Sequence, residues 1–154
     1  MSLIQEVELL KNIPLFARME PSKLKLLAFT SERMTYAKDQ LLCKQGDIGD
    51  SAYVIMEGKV DILIDTPAGA IKVAEVGKNG FVGETAILCD VPRTATVKAA
   101  EKVVTLKITK DLFLRMVTEF PQMAVEIMRE LAHRVDTANN RLREATDRIR
   151  SLGG

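Results

Sequence analysis

Tryptophan is absent from this 154-residue chain, aromatic side chains make up only 5% of it, and it holds one histidine, His133, and two cysteines, Cys43 and Cys89. A lone histidine with no nucleophile, acid or metal-ligand motif beside it offers neither a general base nor a metal centre, so the chain is expected to be no enzyme and to need no cofactor. Two cysteines, each following an apolar residue, are too sparse for the disulfide scaffold of a small secreted domain and read as reduced structural thiols. Neither sign of charge is in excess. Twenty-two Lys and Arg face 21 Asp and Glu, for a net charge of +1, so nothing global attracts DNA, RNA or an acidic membrane and any anion site must be local. No apolar run approaches the roughly 18 residues of a membrane span. Residues 1–10 carry Glu6 and Glu8 instead of a basic leader segment. These lacks predict a soluble, cytoplasmic protein without a membrane partner and, by this chain alone, without a nucleic-acid partner.

What is present is enough apolar material for one core: 47% of the residues are hydrophobic, which suits a single domain over 1–154. Over 1–33 apolar residues recur at helical spacing and are broken at Pro14 and Pro21, predicting two short helices with Pro21 at a helix start. Over 34–109 the pattern changes to short Val, Ile, Thr and Tyr-rich segments between Gly-containing turns, the mark of an antiparallel sandwich or barrel. Strands are expected at 41–44, 52–57, 59–65, 71–76, 95–99 and 103–108. Thr66-Pro67-Ala68-Gly69 is expected to join two of them as a hairpin.

Over 110–154 the chain turns helical again, with Asp111 near a helix start and Pro121 opening a long last helix. There Ala124, Met128, Leu131, Val135, Ala138, Leu142, Ala145, Ile149 and Leu152 follow one another at steps of four and three, a heptad seam. A helix over 121–152 spans about 48 Å, longer than a small barrel can cover, so its distal half needs another partner. A parallel homodimer through this seam is the expectation. The arginines between Arg129 and Arg150 alternate with Glu130, Asp136, Glu144 and Asp147, as on a solvated coiled-coil surface.

The chemistry concentrates in the segment 80–99. Gly80 and Gly83 allow sharp turns that aim backbone N–H groups at a bound group, and Glu84 is followed nine residues later by Arg93 within Pro92-Arg93-Thr94-Ala95-Thr96. Arginine supplies a planar fork that matches phosphate oxygens. By themselves an acid and a base at this spacing fit a solvated ion pair as well as a ligand site. The glycines at 77, 80 and 83 are not a P-loop, because no Lys and Ser or Thr follow.

The whole stretch from Phe81 through Gly83-Glu84-Thr85-Ala86 to Pro92-Arg93-Thr94-Ala95-Thr96-Val97-Lys98-Ala99 closely resembles the phosphate-binding cassette of cyclic-nucleotide-binding domains. Gln45-Gly46-Asp47-Ile48-Gly49-Asp50-Ser51 and the residues to Val60 resemble the same family's turn and strand pair. This likeness runs from about Ile13 to Asn140. It implies an α+β, mainly β fold: an eight-stranded antiparallel jelly-roll barrel with N-terminal helices and a long C-terminal helix. Carried over by residue, it implies that Glu84 accepts from a ribose 2′-OH and Arg93 pairs with the cyclic phosphate. The amides of Gly83, Glu84, Thr94 and Ala95 line that anion, Thr85 belongs to the same ligand-binding set, and Ile62, Ile64, Val73 and Val76 pack on sugar and base. On the last helix, a face holding Arg134, Ala138 and Asn139 lies over the purine, with Asn139 able to donate to and accept from an adenine edge. The expected ligand is cyclic AMP or cyclic GMP, leaning slightly to cyclic AMP, and the expected output is movement of the last helix. The alternatives are a ligand-free structural or protein-interaction module of the same fold, or the sensor fragment of a larger transcription regulator.

Overall fold

Proline opens two of the three helical segments near the N-terminus. In the computed structural model, which describes residues 3–153, α1 (Leu3–Lys11) leads to a 3-10 turn at Pro14–Phe16 and then to α2 (Pro21–Thr30), with Pro14 and Pro21 in the first turns. The missing N–H of proline costs nothing there, since that donor has no partner inside the helix. Eight antiparallel strands follow: β1 (Glu32–Tyr36), β2 (Leu41–Cys43), β3 (Ser51–Glu57), β4 (Val60–Thr66), β5 (Gly69–Val76), β6 (Phe81–Val82), β7 (Thr96–Ala99) and β8 (Val103–Thr109). A short α3 (Glu84–Leu88) sits between β6 and β7, and α4 (Lys110–Glu119) and α5 (Pro121–Gly153) end the chain. The Thr109 hydroxyl caps α4 by accepting from the Leu112 amide. The β4–β5 hairpin closes at Pro67-Ala68, with Thr66 paired to Gly69.

The expectation of eight antiparallel strands holds, but the closed barrel does not. The strands form two four-stranded sheets, ordered β1-β8-β3-β6 and β2-β7-β4-β5. Closure requires edge strands long enough to pair into both sheets, and β6 has two residues and β2 three. The strands at β1 and β6 were not anticipated. β1 carries one buried side chain, Tyr36, and is held by pairing along its length with β8, a contact that no local pattern announces.

Two apolar clusters result, divided by β3, in which alternate side chains serve opposite faces. Tyr53 and Ile55 join Tyr36, Val60, Val82, Val97 and Val103 between the sheets. Ala52 and Val54 pack outward on Leu10, Phe16, Leu24, Phe113, Met123 and Ile127 from the helices. Burial of Met123 and Ile127 anchors the start of α5 on this second cluster and carries its next turns across the mouth of the space beside β4 and β5. Among the described residues no helix is long and apolar enough to cross a membrane.

Candidate functional site

Gly83 ends β6 with φ +88, and a Cβ there would stand 2.6 Å from Arg93 Nη1 and 3.1 Å from the Ser51 carbonyl. Both the backbone angle and the crowding require glycine. The turn delivers Glu84 to the first position of α3, where it is 3% exposed, and Arg93, from the loop before β7, reaches the same spot at 5% exposed. The Arg93 backbone is bolted down by the 44–50 loop. Its amide donates to the Asp47 carbonyl at 2.8 Å, its carbonyl accepts from the Gly46 amide at 2.8 Å, and the Gln45 amide donates to Thr96 Oγ1 at 2.9 Å.

The Arg93 guanidinium donates to two main-chain carbonyls, Gly83 at 3.0 Å and Ser51 at 2.8 Å, and lies 5.9 Å from the Tyr53 ring centre. Among the described residues its guanidinium partners are thus neutral, and no carboxylate forms an ion pair with this buried cation. That is a costly arrangement for a purely structural residue. Glu84 shows the matching asymmetry. Its Oε1 accepts from Arg134 Nη1 of α5 at 3.0 Å, while its buried Oε2 has no hydrogen-bond partner among the described residues. Burial pushes the Glu84 carboxyl above its ordinary value, against the pull of the Arg134 and Arg93 charges. Arg134 also donates to the Phe81 carbonyl, stacks 5.0 Å from the Phe81 ring centre, and is steadied by Glu130 at 3.2 Å.

These groups border one cavity of about 890 Å³ between the β4–β5 sheet, the 80–97 segment and α5. It brings together Ile62, Ile64, Val73, Val76, Gly83, Glu84, Thr85, Arg93, Thr94, Ala95 and Arg134. It does not include Asn139, which is exposed on α5. Five residues beyond Arg134 is about 140° around the helix, so a helix turned to set Arg134 on Glu84 turns Asn139 away. The same rotation brings Thr137, Ala138 and Arg141 onto the cavity. Thr137 and Arg141 were missed, although their spacing from Arg134 carried the signal. Cys43 and Val82 also line the wall; both cysteines are free, and burial pushes the Cys43 thiol up.

The heptad seam divides on the structure. Leu131 packs against the outer core and Ala138 faces the cavity, whereas Met128, Val135, Leu142 and Ile149 are 59%, 59%, 67% and 69% exposed. These four repeat every seven residues and form a stripe along one side of α5.

A buried cation and a buried, half-paired acid thus face one cavity between the sheet and the long helix. The chain belongs to the cyclic nucleotide-binding domain family, whose family model matches residues 33–120. Among its relatives, the cAMP-dependent protein kinase regulatory subunit of Blastocladiella emersonii is 32% identical over 108 residues, covering 70% of this chain and 27% of that one. The CRP-like cAMP-activated global transcriptional regulator of Mycobacterium tuberculosis is 26% identical over 136 residues, covering 88% of this chain and 61% of its own. The chain therefore spans only part of each relative's length. The regulatory domain of Toxoplasma gondii PKA with cAMP shares the fold, with a TM-score of 0.74 at 18% identity over 84% of this chain and 50% of that one.

Proposed function

We propose that this chain is a non-catalytic regulatory sensor whose cavity takes a cyclic purine nucleotide, with the cyclic phosphate on Arg93 and the ribose 2′-OH on Glu84. The observation that carries the reading is the pair of incomplete partnerships at one cavity: Arg93 buried against neutral carbonyls and Glu84 Oε2 buried without a partner. A singly charged cyclic phosphate supplies the anion that Arg93 lacks, and a ribose hydroxyl supplies the donor that Glu84 lacks. The apolar walls at Ile62, Ile64, Val73 and Val76 suit the flat faces of sugar and base. Relatives named for cAMP support cyclic AMP as a ligand, and cyclic GMP carries the same phosphate and ribose.

The output in this reading is the position of α5. Arg134 ties that helix to Glu84, so a ribose arriving at Glu84 shifts the balance between helix positions. The exposed stripe on α5 supports a homodimer of parallel helices, by which two cavities are linked. The composition and the regulatory relatives support a cytoplasmic setting. A second reading, a ligand-free interaction module of the same fold, is favoured by the Arg134 pair, which partly satisfies Glu84 without any nucleotide.

Isothermal titration with cyclic AMP and cyclic GMP, on protein first shown free of nucleotide carried over from expression, separates the two. Saturable binding that is abolished in Arg93→Ala supports the sensor. Absence of heat with either nucleotide supports the module.

A further inference from the structure

Resting on the reading of the cavity as a cyclic-nucleotide pocket, we infer that Arg141, with Thr137 beside it, reads the six-position edge of the purine and makes the pocket prefer guanine to adenine. The contact of Arg134 with Glu84 fixes how α5 is rotated above the cavity. From Arg134, Thr137 and Arg141 return to the same side within about 60° and 20°, and Arg141 stands about 10 Å further along the helix axis. Both line the cavity, as does Val73 opposite them. In this proposal ribose lies at Glu84, phosphate at Arg93 and the base at the part of the cavity bounded by these three residues.

Arg141 is held there by the sheet. Ile62 pairs with Ala74 but Leu63 with Lys72, which leaves Val73 as the extra residue of a bulge in β5. The Val73 carbonyl accepts from Arg141 Nη1. One bond on one nitrogen of a rigid planar fork sets the direction of the remaining N–H groups without consuming them.

The chemistry of that edge is one-sided. A guanidinium donates and never accepts. The carboxylates at the cavity are committed elsewhere: Glu84 Oε1 and Glu130 to Arg134, Glu84 Oε2 in this reading to the ribose hydroxyl, and Glu75 to Lys59 and Lys72. Guanine presents two acceptors on this edge, O6 and N7, whereas adenine places its N6 amino donor where O6 stands. Arg141 therefore complements guanine with two parallel bonds and sets donor against donor with adenine, an unmatched contact that discriminates by repulsion as well as attraction. The Thr137 hydroxyl donates or accepts and suits either base. On this basis the residue that decides between the two nucleotides is Arg141, in place of the adenine-reading Asn139.

The test is the affinity of the full chain and of two variants at the exposed Arg141 position for cyclic AMP, cyclic GMP and cyclic IMP. Cyclic IMP carries guanine's O6 and N7 without its 2-amino group, so it isolates the edge in question. The unmodified chain is expected to bind cyclic GMP and cyclic IMP about tenfold more tightly than cyclic AMP, toward the low end of what a bidentate base contact discriminates. Arg141→Ala should bring cyclic IMP and cyclic AMP to within about twofold, and Arg141→Gln, which adds an acceptor suited to N6, should reverse their order. Cyclic AMP binding as tightly as cyclic IMP, or a ratio unmoved by both variants, overturns the inference and leaves the sensor reading standing. Failure of every nucleotide to bind removes the sensor reading and the inference with it.

Discussion

Arg134 Nη1 stands 3.0 Å from Glu84 Oε1, joining residues fifty positions apart in the chain. The Glu84 side chain is 4% exposed and that of Arg134 28%, so the pair lies at the boundary between the buried cassette and the helix that covers it. The cassette and the long helix touch through this contact.

The burial of Glu84, opposed by this contact, makes the group's contribution to stability depend on pH in a defined sense. Burial raises the Glu84 carboxyl above its ordinary 4.5, so the folded protein holds that proton more tightly than the unfolded chain does. Between 4.5 and the raised value this group's contribution to stability falls as pH rises. Arg134→Ala removes the largest opposing charge and moves the Glu84 carboxyl further up. The variant is expected to be about 1 to 2 kcal/mol less stable near neutral pH, with the deficit closing as pH falls toward that of an ordinary glutamate. Urea unfolding of both proteins across this range checks it; a deficit independent of pH assigns the loss to packing on Phe81 instead.

At Arg93 the geometry of the fork matters as much as the charge. Arg93→Lys keeps a cation but cannot span the Gly83 and Ser51 carbonyls and still face a phosphate in parallel. Nucleotide affinity is expected to fall by at least about tenfold, with Arg93→Ala losing more, of the order of 2 to 5 kcal/mol. Titration of the two variants side by side measures the difference; equal affinity of Arg93→Lys and the parent chain would show that the charge alone suffices.

Gly83→Ala tests the turn that places both groups. Its φ of +88 is strained for any residue with a side chain, and the new methyl would meet Arg93 Nη1 at 2.6 Å. A loss of about 1 to 3 kcal/mol in stability is expected from the backbone, together with loss of nucleotide binding because Arg93 is displaced. Thermal unfolding and titration of the same sample read the two effects separately.

The stripe on α5 predicts the state of association. Leu142 and Ile149 are 67% and 69% exposed, and a double change to Asp places charges at seam positions that a parallel dimer would bury. Sedimentation is expected to show a dimer for the parent chain and a monomer for the variant, with weaker nucleotide binding by the monomer. A monomeric variant with unaltered affinity would uncouple pocket from interface.

Much of this architecture is written locally. Pro14, Pro21 and Pro121 start helices because of their own ring geometry, the Val- and Ile-containing runs of β3, β4 and β8 carry strand composition in themselves, and the hairpin at Pro67-Ala68 needs no distant partner. The seven-residue repeat of Met128, Val135, Leu142 and Ile149 is equally local, as is the cassette pattern that singled out Glu84 and Arg93. These features depend on torsion angles and on the spacing of neighbours, which a sequence carries directly.

Other features exist only once distant segments meet. β1 is a strand because β8 lies beside it, and the eight strands part into two sheets because the edge strands β2 and β6 end before they can cross. Which acid Arg134 pairs with, and hence whether Thr137 and Arg141 or Asn139 face the cavity, depends on the rotation of α5 about its own axis. That angle is set by Met123 and Ile127 packing on the outer core and by Arg134 reaching Glu84. The sequence by itself determined six of the eight strands, the flanking helices, the cassette residues and the stripe on α5. The tertiary structure decided the pairings between them, because a helix's rotation and a strand's neighbours are fixed by contacts between residues far apart in the chain, to which local periodicity is blind.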